Sequence, residues 1–283
     1  MKHYIALTKP RITWLILMST GMGYYFGLTG AVNLWALLHT IVGTGLIASG
    51  TAALNQWYER DADARMRRTE KRPLPAGRMT PRNALVFGLL LSVLGFMELG
   101  LGVNWLSAEL GLFTLLSYLL VYTPLKQISP VATTIGAVPG AMPPLIGFAA
   151  ASGTLTAEAW VLYAILFLWQ FPHFYAIAWM YREDYERAGI KMLPVVEPDG
   201  DSTVRQMLLF SALLIPVSLM PRYLDMTGNF YVAGTLAAGL AFILACARMS
   251  KDRTRLKARS VLLVSVIYLP VLYGLLLLDR PRG

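Results

Sequence analysis

Apolar residues in this chain gather into long runs separated by short polar stretches, and the runs recur from one end to the other. Nine of them predict helices at about 12–29, 34–58, 84–103, 105–123, 131–151, 157–181, 204–221, 229–248 and 260–278. Several approach the roughly 20 residues that carry an α-helix across a bilayer. The fifth run is rich in Gly and Pro, and Pro139, Pro143 and Pro144 predict a kink that neighbouring helices can accommodate. The pattern predicts an all-α polytopic membrane protein of nine transmembrane helices, forming one domain over 1–283.

Composition agrees. The chain is 56% hydrophobic and only 14% charged, with a mean hydropathy of +0.53. A soluble domain normally carries about 25% charged residues.

Charge placement then gives an orientation. If the N-terminus is cytoplasmic, the inner segments hold Lys2, Lys9 and Arg11, eight cations from Arg60 to Arg82, Lys126, four from Arg182 to Arg205, and six from Arg248 to Arg259. That is 22 of the 25 Lys and Arg, against Arg222, Arg280 and Arg282 outside. Positive residues accumulate on the cytoplasmic side of membrane proteins. The net charge of +9 is therefore topology and contact with anionic lipid, not a nucleic-acid surface. The lone Cys246, in an apolar run, reads as a buried structural thiol. Met1–Lys9 reads as a short cytoplasmic leader with no cleavable signal before the first helix. A bacterial cytoplasmic membrane is the expected location.

The candidate chemistry sits where the second run ends. Asn55, Glu59 and Asp63 fall at i, i+4 and i+8. Each step of four residues advances about 40° around a helix, so the three share a face. Arg65, Arg67, Arg68, Lys71 and Arg72 follow. Oxygen ligands suit Mg²⁺, and guanidinium groups suit phosphate, which together suggest a metal-bridged diphosphate.

A second polar loop, Arg182–Ser202, is expected on the same side. Both loops follow an aromatic helix end, and both carry a Leu-Pro pair, as a faint parallel repeat or by chance. Asp184 is a candidate second metal ligand there, and Lys191 a candidate diphosphate contact. Lys126 follows Tyr122-Thr123-Pro124-Leu125 and could reach lipid headgroups or the diphosphate. His173 lies in Phe171-Pro172-His173-Phe174, at membrane depth, where it needs a partner. Two readings stay open: it donates to a carbonyl freed by Pro172, or it faces the cavity and touches substrate.

The run Asn55-x3-Glu59-x3-Asp63-x2-Met66-x-Arg68-Thr69-x2-Arg72-Pro73-Leu74 resembles the first signature of the UbiA-type intramembrane prenyltransferases. It is most similar to the branch that acts on haem. Tyr122-Thr123 with Leu125-Lys126, Pro143-Pro144-Leu145-Ile146-Gly147, and Phe171-Pro172-His173-Phe174 followed by Asp184-Tyr185 and Met192-Leu193-Pro194 agree in order and spacing. Two departures from the wider superfamily stand out: the second acidic motif is reduced to Asp184, and Asn55 and Glu59 stand where aspartate is frequent. The segment Pro130–Gly136 also lacks an asparagine expected before Ile135-Gly136.

The resemblance implies nine transmembrane helices around a central cavity, and transfer of a farnesyl group from farnesyl diphosphate to a vinyl group of haem B, with water added. It implies Mg²⁺ held by Asn55, Glu59, Asp63 and Asp184. Arg68, Arg72, Lys126, Arg182 and Lys191 would meet the diphosphate, and His173 and Tyr122 would lie on the haem side. The bilayer and a downstream haem-modifying enzyme are the expected partners. A relative with a quinone or chlorophyll precursor as acceptor is an alternative, disfavoured by the Phe-Pro-His-Phe run. A secondary transporter, the second alternative, would place its ionisable groups near the midplane, whereas most acids here lie at helix ends.

Overall fold

The computed structural model describes residues 1–280, and all regular structure among them is helical. Among the described residues nine long helices succeed one another: α1 Pro10–Phe26, α2 Leu34–Tyr58, α3 Pro81–Gly102, α4 Trp105–Leu125, α5 Ala132–Ser152, α6 Ala157–Met180, α7 Asp201–Tyr223, α8 Asn229–Lys251 and α9 Arg255–Leu278. Among the described residues, α2 to α9 are the eight that have the length and apolarity to cross a bilayer. At 17 residues α1 is shorter, about 26 Å at 1.5 Å per residue. Arg282, counted above as an outer cation, lies outside the described residues.

Proline sets the points where helices start or change. Pro10 and Pro81 occupy first helical positions, where the missing N–H costs nothing. Within α5 the predicted kink is a break, with Ala132–Gly140 ending and Pro143–Ser152 restarting on two prolines. In α4, residues Ser117–Tyr122 form a π-helical turn that carries the chain toward Lys126.

Helices α2 and α3 pack along their length, α1 lies against α5, and α6 to α9 close on one another. The second half of α5 is the most enclosed segment, with Leu145, Ile146, Phe148 and Ala149 all buried. Gly147 makes that possible. A Cβ there would stand 1.8 Å from the Thr20 carbonyl oxygen of α1, so the two backbones touch directly. Leu120, Phe230, Ile267 and many others remain exposed, as expected of a surface solvated by lipid. An apolar groove of about 510 Å³ opens between α1 and α9, lined by Met18, Met22, Tyr25 and Tyr273 among others.

Candidate active site

Helix α2 ends at Tyr58, and a short helix, Arg60–Ala64, continues from it after a change of direction at Glu59. The Glu59 amide still donates to the Asn55 carbonyl (2.9 Å) and the Asp63 amide to that of Glu59 (2.8 Å). The helical register therefore survives the bend, and the expected three-residue face survives with it.

All three side chains are buried, with Asn55 at 2%, Glu59 at 8% and Asp63 at 1% exposure. Burying carboxylates costs several kcal/mol unless cations and donors meet them. Each is met from a different part of the chain. Lys126 Nζ lies 2.9 Å from Glu59 Oε1, and Asn55 Nδ2 donates to Glu59 Oε2 at 2.9 Å. Arg72 approaches Asp63 Oδ2 at 2.7 Å, and Lys9 Nζ donates to Asn55 Oδ1 at 3.2 Å. Burial alone would raise the Glu59 carboxyl, but the Lys126 ammonium outweighs it, with Lys9 and Asn55 adding, and holds the group below its usual value. Burial likewise opposes the charge on Lys126, yet Tyr122, Glu59 and Tyr118 keep it well above its usual value.

Lys126 also rests over the Tyr122 ring, 4.4 Å from its centre. That ring fits because residue 136 is glycine, where a Cβ would meet it at 2.5 Å. Tyr122 thus belongs to the acid–base cluster.

The second loop begins as the first does, with α6 ending at Met180 and a short helix, Arg182–Arg187, following Tyr181. Its Asp184 was expected beside the other acids as a metal ligand. Instead the carboxylate turns to the first loop, accepting from the amides of Arg67 and Arg68 at 3.3 Å each and pairing with Arg187. Arg65 donates to the Ala188 carbonyl at 2.8 Å, and the Lys191 amide to that of Lys126, also at 2.8 Å. Ala62, Met66, Ala178, Ala188, Ile190 and Met192 form a small apolar core between the loops. Asp184 is buried because it locks the two loops together. Among the described residues no three His, Cys, Asp or Glu side chains converge as a ready-made metal cluster.

The other expected cations divide. Arg68 lies over the Tyr181 ring at 5.1 Å, on the Asp184 side, and Arg182 is exposed over Trp179 at 4.7 Å, away from the acids. Lys191 is exposed, its backbone tied to Lys126 but its side chain outside the cluster.

His173 lies eight residues before Tyr181, about 12 Å along α6. Its Nδ1 is 2.8 Å from Ser265 Oγ of α9, and its ring stacks on Trp169 at 4.7 Å. The Ser265 hydroxyl donates to the Leu262 carbonyl at 2.7 Å, so its oxygen accepts from Nδ1–H and the second ring nitrogen, Nε2, keeps its lone pair. The partner is a side chain of another helix, not the carbonyl freed by Pro172. His173 and Tyr122, expected together on the haem side, occupy separate surroundings.

Lys9 was counted in the sequence only as a topological charge. It precedes Pro10 yet has φ 47° and ψ 60°, a left-handed conformation rare for a non-glycine residue and further disfavoured before proline. The strain aims its side chain at Asn55. Burial, with Arg72 and Lys126 nearby, lowers its ammonium to about 7.

Buried side-chain oxygens at the polar end of an apolar bundle, met by cations from three segments, form a compact charged site next to hydrocarbon. Comparison with known proteins places the chain accordingly: residues 16–267 match the model of the UbiA prenyltransferase family, and the protein belongs to that family. It is a multi-pass membrane prenyltransferase. Among relatives, it is 62% identical to the protoheme IX farnesyltransferase of Solibacter usitatus, over 99% of both chains. It is 46% identical to that of Koribacter versatilis, over 99% of this chain and 94% of the other. Solved structures agree on the fold. A digeranylgeranylglyceryl phosphate synthase superposes with a TM-score of 0.81 at 18% identity, covering 99% of this chain and 98% of the other. A UbiA homologue from Archaeoglobus fulgidus bound to GPP and Mg²⁺ gives 0.68 at 17% identity, covering 97% and 99%.

Proposed function

We propose that this protein transfers a farnesyl group from farnesyl diphosphate to a vinyl group of haem B, giving haem O, in a reaction that depends on Mg²⁺. The observation that carries the reading is the buried Asn55–Glu59–Asp63 face with Lys9, Lys126 and Arg72 already on its oxygens. The name shared by the relatives at 62% and 46% identity supports farnesyl as donor and haem as acceptor.

The donor set fits Mg²⁺, which takes one or two carboxylates and completes its shell with water and substrate phosphates. Glu59 and Asp63 would hold it, with Asn55 Oδ1 beside them, and it would neutralise the diphosphate and make it a better leaving group. Asp184 serves by keeping the two loops closed over the site. Arg72, Lys126 and Lys9 turn from the side-chain oxygens of Asp63, Glu59 and Asn55 to phosphate oxygens and stabilise the charge that grows on the leaving group. Arg68 and Lys191 lie at the rim and guide the anion in.

The allylic C–O bond breaks with its electron pair leaving on diphosphate. A vinyl carbon of haem bonds to the farnesyl carbon, and water adds to the neighbouring carbon and loses a proton. Burial beside apolar helices keeps other water from the allylic cation. His173, with an Nε2 lone pair, would meet haem about 12 Å below the loops. Nine crossings with a cytoplasmic N-terminus, in the inner membrane of a bacterium, put the site on the face where farnesyl diphosphate is made. The single unit 1–283 then passes its product to a haem-modifying enzyme.

Expression in a host lacking this activity tests the proposal. Its haem extract should contain a new, more hydrophobic haem, and purified protein should form it only with farnesyl diphosphate, haem B and Mg²⁺. Farnesylation of a quinone precursor with haem left unchanged would refute it.

A further inference from the structure

Helices α8 and α9 form a hairpin whose turn meets the second loop. Trp179 donates to the Arg253 carbonyl at 2.9 Å, and Arg255 lies over Tyr181 at 5.8 Å, so the turn shares the face of the active site. A trough runs between the two helices on their lipid-facing side. Near the turn it is a cavity of about 350 Å³ lined by Arg248, Lys257 and Ser260. Deeper lies a second cavity of about 330 Å³, bounded by Gly234 and Val271. Ala241 and Val264 line both, which makes them one channel with a basic mouth and an apolar floor.

The dimensions match one leaflet. Arg248 to Gly234, and Lys257 to Val271, each span 14 residues of helix, roughly 21 Å. Hydrocarbon in one leaflet is about 15 Å thick. With the small residues at acyl depth, the cations therefore stand at headgroup level. Among the described residues neither Arg248 nor Lys257 has an ion-pair partner or a side-chain hydrogen bond, unlike Lys9, Arg72 and Lys126. Two unpaired cations at the head of a one-chain apolar channel complement a lipid phosphate above its acyl chain.

We propose that the α8–α9 trough binds an anionic glycerophospholipid from the bilayer. Its phosphate sits between Arg248, Lys257 and the Ser260 hydroxyl, and one acyl chain lies along Ala241 toward Gly234. A packed protein helix would use the small residues but would not need the two cations. The occupied trough also steadies α9, where Ser265, next to Val264, holds His173.

The test is lipid retention. Protein purified in detergent is mixed with equal phosphatidylglycerol and phosphatidylcholine, and bound lipid is read by native mass spectrometry. Wild type should retain phosphatidylglycerol selectively. Arg248→Ala/Lys257→Ala should lose about 30-fold of that preference, from two interfacial cations. Lys251→Ala/Arg259→Ala removes two exposed cations from the same face but outside the trough, and should keep it. Ala241→Phe fills the channel with both charges intact, and should lose retention as well. The proposal is overturned if wild type shows no preference, if the Lys251/Arg259 variant loses as much as the Arg248/Lys257 variant, or if Ala241→Phe retains lipid normally.

Discussion

Lys126→Met separates the acid–base cluster from the rest of the fold. In the wild type Lys126 is bonded to Glu59 at 2.9 Å, with side-chain exposures of only 13% and 9%. Removing one partner of a buried pair costs about 3–5 kcal/mol, because the remaining charge is left without compensation. Glu59 keeps the Asn55 amide at 2.9 Å, which favours the lower end, about 3 kcal/mol. Loss of the cation over Tyr122 adds about 0.5–1 kcal/mol. The thermal midpoint in detergent should fall by on the order of 10 °C.

The pH response should also reverse. Wild-type Glu59, held below its usual value, contributes stability above the unfolded value near 4.3, and loses it as pH falls through the folded value. Without Lys126, burial dominates and raises the carboxyl. Stability is then fully present at low pH and lost as pH rises through the new value. The variant should therefore recover between pH 7 and pH 5, where the wild type gains nothing from this group. Lys126→Met/Glu59→Gln should restore most of the stability without restoring turnover, a coupling that a double-mutant cycle measures. A Lys126→Met protein with wild-type midpoint and pH profile, or a double variant less stable than the single one, would falsify the pairing argument.

Three further outcomes are expected. Asp63→Asn should lose at least about 100-fold in rate, roughly 2.7 kcal/mol, and wild-type activity should vanish in excess EDTA; normal turnover in either case removes the metal assignment. Lys9→Met should raise the KM for farnesyl diphosphate. Since Lys9 titrates at about 7 and an anion favours its protonated form, wild-type affinity should weaken as pH rises above that value, while Lys9→Arg should be flat. His173→Ala should abolish haem farnesylation and leave diphosphate binding intact, and Ser265→Ala should do so partially by freeing the ring; equal loss of both substrates would make His173 structural.

Much of the fold was legible because lipid imposes one rule on every crossing segment, whatever it packs against. Boundaries moved where proline decided them, as with the start of α1 at Pro10 and the division of α5 before Pro143. The Asn55–Glu59–Asp63 face was legible because helical register is local, and it persists even through the bend at Glu59. Asp184 was legible as a polar residue in the right loop but not in its orientation. The amides of Arg67 and Arg68 that hold it lie more than 110 residues away in sequence. Lys9 was missed for the same reason, its partner Asn55 being 46 residues distant. One local sign was present: a lysine directly before a helix-starting proline cannot be absorbed into the helix, so its side chain is free to point elsewhere.

That lysine explains how so many charges share one buried place. Lys9, Lys126 and Arg72 come from three separate segments, and they rest on oxygens of Asn55, Glu59 and Asp63 in turn. Such a cluster is stable without ligand because its acids and bases satisfy one another. Under the proposed function it would also be loaded for exchange, since a metal-bridged diphosphate would bring cation to the acids and anion to the bases at once. Neither ligand half alone would be accommodated, as a lone metal would strand the cations and a lone diphosphate the carboxylates. The arrangement therefore favours metal and diphosphate arriving together. It also gives the strain at Lys9 a purpose: the residue in the left-handed turn before Pro10 is the one whose ammonium reaches Asn55.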